Sequence, residues 1–315
     1  MRLGLIRNPL SRANRRDRAD WTALTAHPQI AGLAEPKTRE ELHDSLKVLH
    51  AREVQCLIVS GGDGTLSDVL SALFHAVPGW RPAFAILRSG KTNLIAHDVG
   101  AAPHGVRSAL TLADAARNGG FTHRKTRPVL KVESDEGGSA TRFGFFLGAG
   151  AFTRASDLAQ VQAHAMGLNE GAAILWTLGS MIGRNLPGGH ETKESSAIAA
   201  SQPAGAPESD ARYLVIATTL GRIPLGLKPF WGNGSGPIRY TEVPAESNRL
   251  AQALIPVLRG RPKPWMSDAG YRSGSTTALR LRLEGVVTLD GEPFRPSSNG
   301  DVRITADDTV TFVAP

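Results

Sequence analysis

Apolar residues change their rhythm near residue 124. Before that point, compact apolar runs alternate with stretches of helical spacing. Residues 54–59 are a near-continuous apolar run closed by Ser60-Gly61-Gly62, the pattern of a strand buried on both faces of a parallel sheet. Residues 2–8 form a first strand ending at Asn8-Pro9, and a polar, Arg-rich helix is predicted to follow. Thr38-Arg39-Glu40-Glu41 reads as a capping box, the Thr hydroxyl capping and Glu41 reaching back. It opens a helix with Leu42, Leu46 and Leu49 on one face. A helix carrying Leu66, Val69, Leu70 and Leu73 comes next, then a strand at 83–87, a glycine turn and a helix over 93–99. Strands alternating with helices predict a βαβ sheet, whose ligands bind beyond the carboxyl ends of the strands.

Beyond 124 the pattern favours strands: 126–134, 141–148, 213–219, 238–243 and 277–289. Leu279, Leu281 and Leu283 alternate with Arg280, Arg282 and Glu284, the signature of a half-buried strand. Helical stretches are predicted at about 157–184 and 246–259. Residues 187–210 are rich in Gly, Ser, Ala and Pro without periodicity, which predicts a mobile loop. The fold class is therefore α/β, with a nucleotide-binding-type α/β domain over 1–124 and a mainly antiparallel β domain over 125–305.

Charge narrows the partners. A formal net charge of +7 and a pI of about 9.9 favour nucleic acid, nucleotides or anionic lipid. No nucleic-acid-binding motif appears, and Asp17 and Asp20 interrupt the cluster of Arg12, Arg15, Arg16 and Arg18. Cys56 is the only cysteine, which excludes an intrachain disulfide and fits a reducing compartment. The histidines, His97, His104 and His164 among them, lack ligand spacing. Arg2 and Arg7 leave no room for a signal-peptide core, and the best apolar stretch, 172–183, is far shorter than the span of about 20 residues a membrane needs. The chain is read as cytoplasmic. The Gly/Pro-broken segment 219–231, with Phe230 and Trp231 between basic residues, is either a packed loop or a peripheral contact with a membrane interface.

The strongest chemical signal is Ser60-Gly61-Gly62-Asp63-Gly64-Thr65 between a buried strand and a helix. Glycines let the backbone approach a phosphate closely, and the helix N-terminus adds amide donors. Asp63 is suited to Mg²⁺ or to orienting phosphate-bound groups. Gly90-Lys91-Thr92 does not complete a P-loop, because Ala85 stands where that template needs Gly. Glu292 follows a glycine turn at a strand end, a place from which a carboxylate can face a cleft.

Asn8-Pro9-Leu10-Ser11, Gly61-Gly62-Asp63-Gly64-Thr65, Gly90-Lys91-Thr92-Asn93-Leu94-Ile95-Ala96 and Asp290-Gly291-Glu292, in this order, resemble the motifs of the diacylglycerol/sphingosine-type lipid kinases, within a superfamily that includes NAD kinases. The resemblance implies an NAD-kinase-like first domain to which a final strand, about 306–315, returns. It also implies an ATP- and Mg²⁺-dependent kinase acting on the hydroxyl of a membrane lipid. Asn8, Ser11, Thr38, Gly61, Gly62, Gly64, Thr65, Lys91, Thr92 and Asn93 would then contact ATP, Asp63 would serve catalysis and metal, and Glu292 would be the general base. Arg12, Asp68, Arg88 and Lys91 depart from the family pattern, and the acidic residue usual after Gly-x-Gly is absent from 148–153, where Phe152 lies. A non-catalytic lipid- or nucleotide-binding member and an NAD kinase stay open as alternatives.

Overall fold

The computed structural model describes residues 1–134, 141–153, 198–201, 211–245, 249–283, 285–296 and 300–314. The chain divides into two units, Met1–Val129 with Asp308–Pro315, and Leu130–Asp307.

The first unit is an α/β layer structure. In chain order it contains β1 (Leu3–Arg7), β2 (Ile30–Ala34), α1 (Arg39–Ala51), β3 (Cys56–Gly61), α2 (Asp63–Ala76), β4 (Ala83–Arg88), α3 (Leu94–Val99), α4 (Val106–Arg117) and β5 (His123–Pro128). The final strand, β17 (Thr309–Ala314), completes a sheet of order β2-β1-β3-β4-β17-β5. All of these strands run parallel except β5, which pairs antiparallel with β17. The order reverses direction between β1 and β3, and such a switch point opens a crevice at the carboxyl ends of the strands.

The centre of the sheet is buried because its strands are mainly apolar: β1 and β3 are buried along their whole length, while the edge strand β5, His-Arg-Lys-Thr-Arg-Pro, is polar and partly exposed. Burial pushes the Cys56 thiol up to about 12, so this cysteine behaves as a small apolar residue. Asp98, fully buried on α3, is neutralised by Arg127 Nε at 2.6 Å and Lys125 Nζ at 3.3 Å, both on β5. Removing either base would leave a buried carboxylate undercompensated.

Residues 9–16 form turns in place of the expected Arg-rich helix. Short polar side chains there bond the backbone directly, Asn8 Oδ1 accepting Leu10 N–H and Asp17 Oδ1 accepting Ala19 N–H, and such bonds compete with helix formation. The strand expected over 126–134 is two strands in different units. It breaks at Val129, so a boundary at 124 would cut β5.

The second unit holds β6 (Leu130–Ser134), β7 (Arg142–Gly144), β8 (Phe146–Gly150), β9 (Ile198–Ser201), β10 (Arg212–Thr218), β11 (Ile238–Pro244), α5 (Leu250–Leu258), α6 (Pro264–Asp268), β12 (Arg272–Thr276), β13 (Ala278–Leu283), β14 (Val287–Leu289), β15 (Glu292–Phe294) and β16 (Asp301–Thr305). Two antiparallel sheets, β12-β11-β10-β8-β14-β15 and β7-β6-β16-β13-β9, meet in one apolar core. Leu279, Leu281 and Leu283 supply alternate positions of β13 to it. Within the span expected as a loop, 187–210, the described residues are 198–201, and they pair with β13 as strand β9. The rest of that span and the helix expected at 157–184 lie outside the described residues.

Candidate functional site

Each candidate residue of the first unit lies at or just beyond the carboxyl end of a strand. Asn8 follows β1 and Thr65 sits in the first turn of α2 after β3, and Asn8 Nδ2 donates to Thr65 Oγ1 at 2.9 Å. This bond spans the switch point between β1 and β3. The backbone supports it, with Asn8 N–H donating to Ser60 O at 3.0 Å.

The two glycine turns touch. A Cβ on Gly90 would stand 2.5 Å from Gly62 Cα, so only glycine permits this approach of backbone to backbone. Asn93, left-handed at φ 49°, folds its amide back on the second turn. Its Oδ1 accepts Gly90 N–H at 3.2 Å and its Nδ2 donates to Gly90 O at 3.1 Å. Asn93 therefore shapes the turn, while Lys91 beside it is exposed and Thr92 half-buried.

Asp63 is the first residue of α2, and its carboxylate reaches across to α3. Oδ2 accepts Leu94 N–H at 2.8 Å and Oδ1 accepts Ile95 N–H at 2.9 Å. The motif aspartate thus caps a neighbouring helix, satisfying donors that a helix leaves open at its start. The sequence places Asp63 toward phosphate and metal rather than the core. Its geometry makes it first a clamp between the turns, with one further lone pair on each oxygen. The amides of the first turn of α2 have no intrahelical acceptors and follow directly on Gly62, which touches Gly90.

The neighbouring turns hold the remaining candidates. Ser11 N–H donates to Asn8 O at 3.2 Å, closing the turn after β1. Thr38 caps α1, its Oγ1 accepting Glu41 N–H at 3.1 Å. The Glu41 carboxylate reaches back to Lys37 N–H at 2.6 Å, one residue before the position a capping box would use. Arg12 and Arg88 are exposed.

Sequence reasoning missed a buried polar chain behind the turns, made by Asn14, Ser60, Ser89, His104 and Asp17. Its members are scattered along the chain, and an isolated histidine carries no local signal.

In the second unit, the Asp290-Gly291 pair is the two-residue loop of the β14–β15 hairpin. Leu289 pairs with Glu292, and both loop residues have positive φ, 50° and 87°, the mark of a type I′ turn. The Asp290 carboxylate is buried and accepts Phe145 N–H at 2.9 Å and Phe146 N–H at 2.8 Å. Glu292 follows as the exposed first residue of β15. The turn and its buried anchor therefore fix where Glu292 is presented. The segment 219–231 packs on its own unit: Arg239 lies 4.8 Å over the half-buried Phe230 ring, and Trp231 N–H donates to Ser273 Oγ at 2.9 Å.

Among the described residues no three His, Cys, Asp or Glu side chains converge as a metal site, and no helix is long and apolar enough to cross a membrane. The Asp63 carboxylate, with a further lone pair on each oxygen, is a donor of the kind a hydrated, phosphate-bound Mg²⁺ takes.

Residues 2–120 match the sequence profile of the diacylglycerol kinase catalytic domain. Three solved structures from Bacillus anthracis strain Sterne share the fold. Two are provisionally described as diacylglycerol kinases. The first is 16% identical with a TM-score of 0.62, spanning 100% of this chain and 96% of its own. The second is 18% identical with a TM-score of 0.62, spanning 100% and 97%. A third, described as a diacylglycerol kinase, is 16% identical with a TM-score of 0.58 and the same coverage as the second. No curated protein matches the sequence.

Proposed function

We propose that the chain, whose residues 2–120 match the diacylglycerol kinase catalytic domain, transfers a phosphoryl group from ATP to the hydroxyl of diacylglycerol or a related lipid. The observation that carries this reading is the contact of Gly62 with Gly90 at the carboxyl ends of β3 and β4, beside the first-turn amides of α2. Backbone donors with no side chain between them suit a polyphosphate. Asn8, Ser11, Thr65, Lys91 and Thr92 surround these turns, and Lys91 adds a cation for the phosphates.

In this reading the lipid hydroxyl oxygen attacks the γ-phosphorus, the bond from that phosphorus to the β,γ-bridging oxygen breaks, and ADP leaves. The hydroxyl proton passes to the Glu292 carboxylate. Mg²⁺, when bound, would screen the phosphate charge, with Asp63 as its carboxylate contact. Asp63 also holds α3 against the first turn, so the phosphate-binding backbone is set before nucleotide arrives. Asp290 anchors the hairpin that presents Glu292, and membrane lipid is the acceptor partner.

The test is phosphoryl transfer from labelled ATP to diacylglycerol, sphingosine and ceramide in mixed micelles with Mg²⁺. Labelled phospholipid is the expected product. Labelling of NAD with no labelled lipid would replace this reading by an NAD kinase. ATP binding without turnover on any acceptor would leave a binding protein.

A further inference from the structure

The polar chain behind the glycine turns has no part in phosphoryl transfer as described, yet it joins the turn after β1 to the starts of both glycine turns. Asn14 donates from Nδ2 to Asn8 O at 2.7 Å and to Ser60 O at 3.0 Å, and its Oδ1 accepts Ser60 Oγ–H at 3.0 Å. Ser60 Oγ meets Ser89 Oγ at 3.0 Å, Ser89 Oγ meets His104 Nδ1 at 2.9 Å, and His104 Nε2 meets Asp17 Oδ2 at 2.9 Å. Ser60 and Ser89 are wholly buried. The backbone runs in parallel, Ser89 N–H donating to Gly61 O at 3.1 Å and Ala13 N–H to Ser89 O at 3.0 Å.

A proton inventory shows which link is decisive. Asn14 donates to two carbonyls, so its Oδ1 must accept, and the single Ser60 hydroxyl proton is committed there. Asp17 is an acceptor only. Burial opposes its ionisation, but the Ala19 amide, Trp21 Nε1 and His104 hold its carboxyl below the usual aspartate range. His104 Nε2 therefore carries a proton. Ser89 has one proton and three acceptors within reach: His104 Nδ1, Ser60 Oγ and Leu87 O. If Nδ1 is bare, Ser89 donates to it; if Nδ1 is protonated, the bond reverses and Ser89 donates to Ser60 or Leu87. In both states His104 joins Ser89, which opens the second glycine turn, to Asp17, which closes the turn region after β1. The Trp21 ring packs at 5.8 Å from the His104 ring and carries the Arg7 guanidinium at 5.1 Å, which confines the imidazole.

We propose that His104 is a positioning residue for the nucleotide, holding the second glycine turn through Ser89 at the distance from the first that the phosphate chain requires. This rests on the ATP reading, although its structural half does not depend on it. Ser89 is followed directly by Gly90, whose backbone lies against Gly62, so loosening Ser89 lets the touching turns part.

Two measurements on the full chain test the proposal. In His104→Ala, amide hydrogen exchange at Ser89 and Gly90 should accelerate without ligand, while the strand amides of β3 keep wild-type rates. With ATP and lipid, the KM for ATP should rise about tenfold or more while kcat at saturating ATP changes less, as expected of a group acting through the residues it orients. His104→Asn, whose amide reaches the Nδ1 position, should recover part of the loss, and it takes over both measurements if the Ala variant does not fold. Unchanged exchange at Ser89 and Gly90, or equal ATP KM values for wild type, Ala and Asn variants, would overturn the positioning role. A wild-type protein that binds no ATP would instead end the nucleotide reading, and the exchange data would still decide what His104 does to the turn.

Discussion

The two units use the same device for different ends. In the first, Asp63 clamps the successive amides of Leu94 and Ile95; in the second, Asp290 clamps those of Phe145 and Phe146. Each aspartate lies beside a glycine within a motif that suggests chemistry, and each has both carboxylate oxygens on backbone donors. Their surroundings differ. Asp290 is buried with 6% of its surface exposed, under a hairpin turn, while Asp63 is half-buried where two turns meet. A motif aspartate can thus serve as scaffold in either unit, buried in one and half-buried in the other. Glu292, two residues beyond Asp290, is exposed, as the general-base role proposed for it requires.

Glu292→Gln separates the two roles most sharply. With the anchor of the hairpin intact, kcat should fall by about 10²–10⁴-fold, with ATP affinity and melting temperature close to wild type. Near-normal turnover would move the base elsewhere. Asp290→Ala attacks the anchor itself. It strips two buried amides of a charged acceptor, which costs about 3 kcal/mol and lowers the calorimetric melting temperature by roughly 5–10 °C. An unchanged melt would show that the clamp carries no stability.

Asp63→Asn keeps one acceptor and turns an NH₂ toward the other amide, a loss of about 1–2 kcal/mol. Exchange at the Leu94 and Ile95 amides should quicken. If activity collapses while those amides stay protected, the ligand role of Asp63 outweighs its clamp. The smallest effect is expected at Asp17. Its carboxyl is held low in the folded state, so the stability it adds is present above the unfolded-state value and lost as pH falls through the folded one. Asp17→Asn should therefore melt lower than wild type at neutral pH by about 1 kcal/mol. The two should converge as pH falls through the lowered value of the folded state, and a gap independent of pH would refute the linkage.

Elements with strong local patterns were legible in the sequence. The run 54–59 announced β3, the Leu42-Leu46-Leu49 face announced α1, and the alternation at 279–284 announced β13. The strand β2, Ile-Ala-Gly-Leu-Ala, is short and small-sided, and α4 buries mainly alanines, Ala109, Ala113 and Ala116 beside Leu112. Neither rises above its background. The glycine turns could be read because their chemistry is local. The clamps could not, because Asp63 meets residues 31 and 32 positions away and Asp290 meets residues 145 and 144 away. Pairings at such separations are decided by the fold.

The place of β17 has a consequence for biosynthesis. This strand lies between β4 and β5, and among the described strands β5 pairs with β17 alone. The first unit therefore lacks an interior strand until the ribosome has made Ala314. At about 5–20 residues per second, β4 waits on the order of ten seconds or more for its neighbour. During that wait Ala102 bonds Ile86 O and Arg88 N–H on the waiting edge of β4, and the remaining amides and carbonyls of that edge are open to other chains. The second unit, Leu130–Asp307, is translated entirely within the interval. The nascent protein thus carries the sheet of its first unit unfinished while the β-rich unit emerges, and shielding of that edge during synthesis falls to whatever factor meets the chain at the exit tunnel.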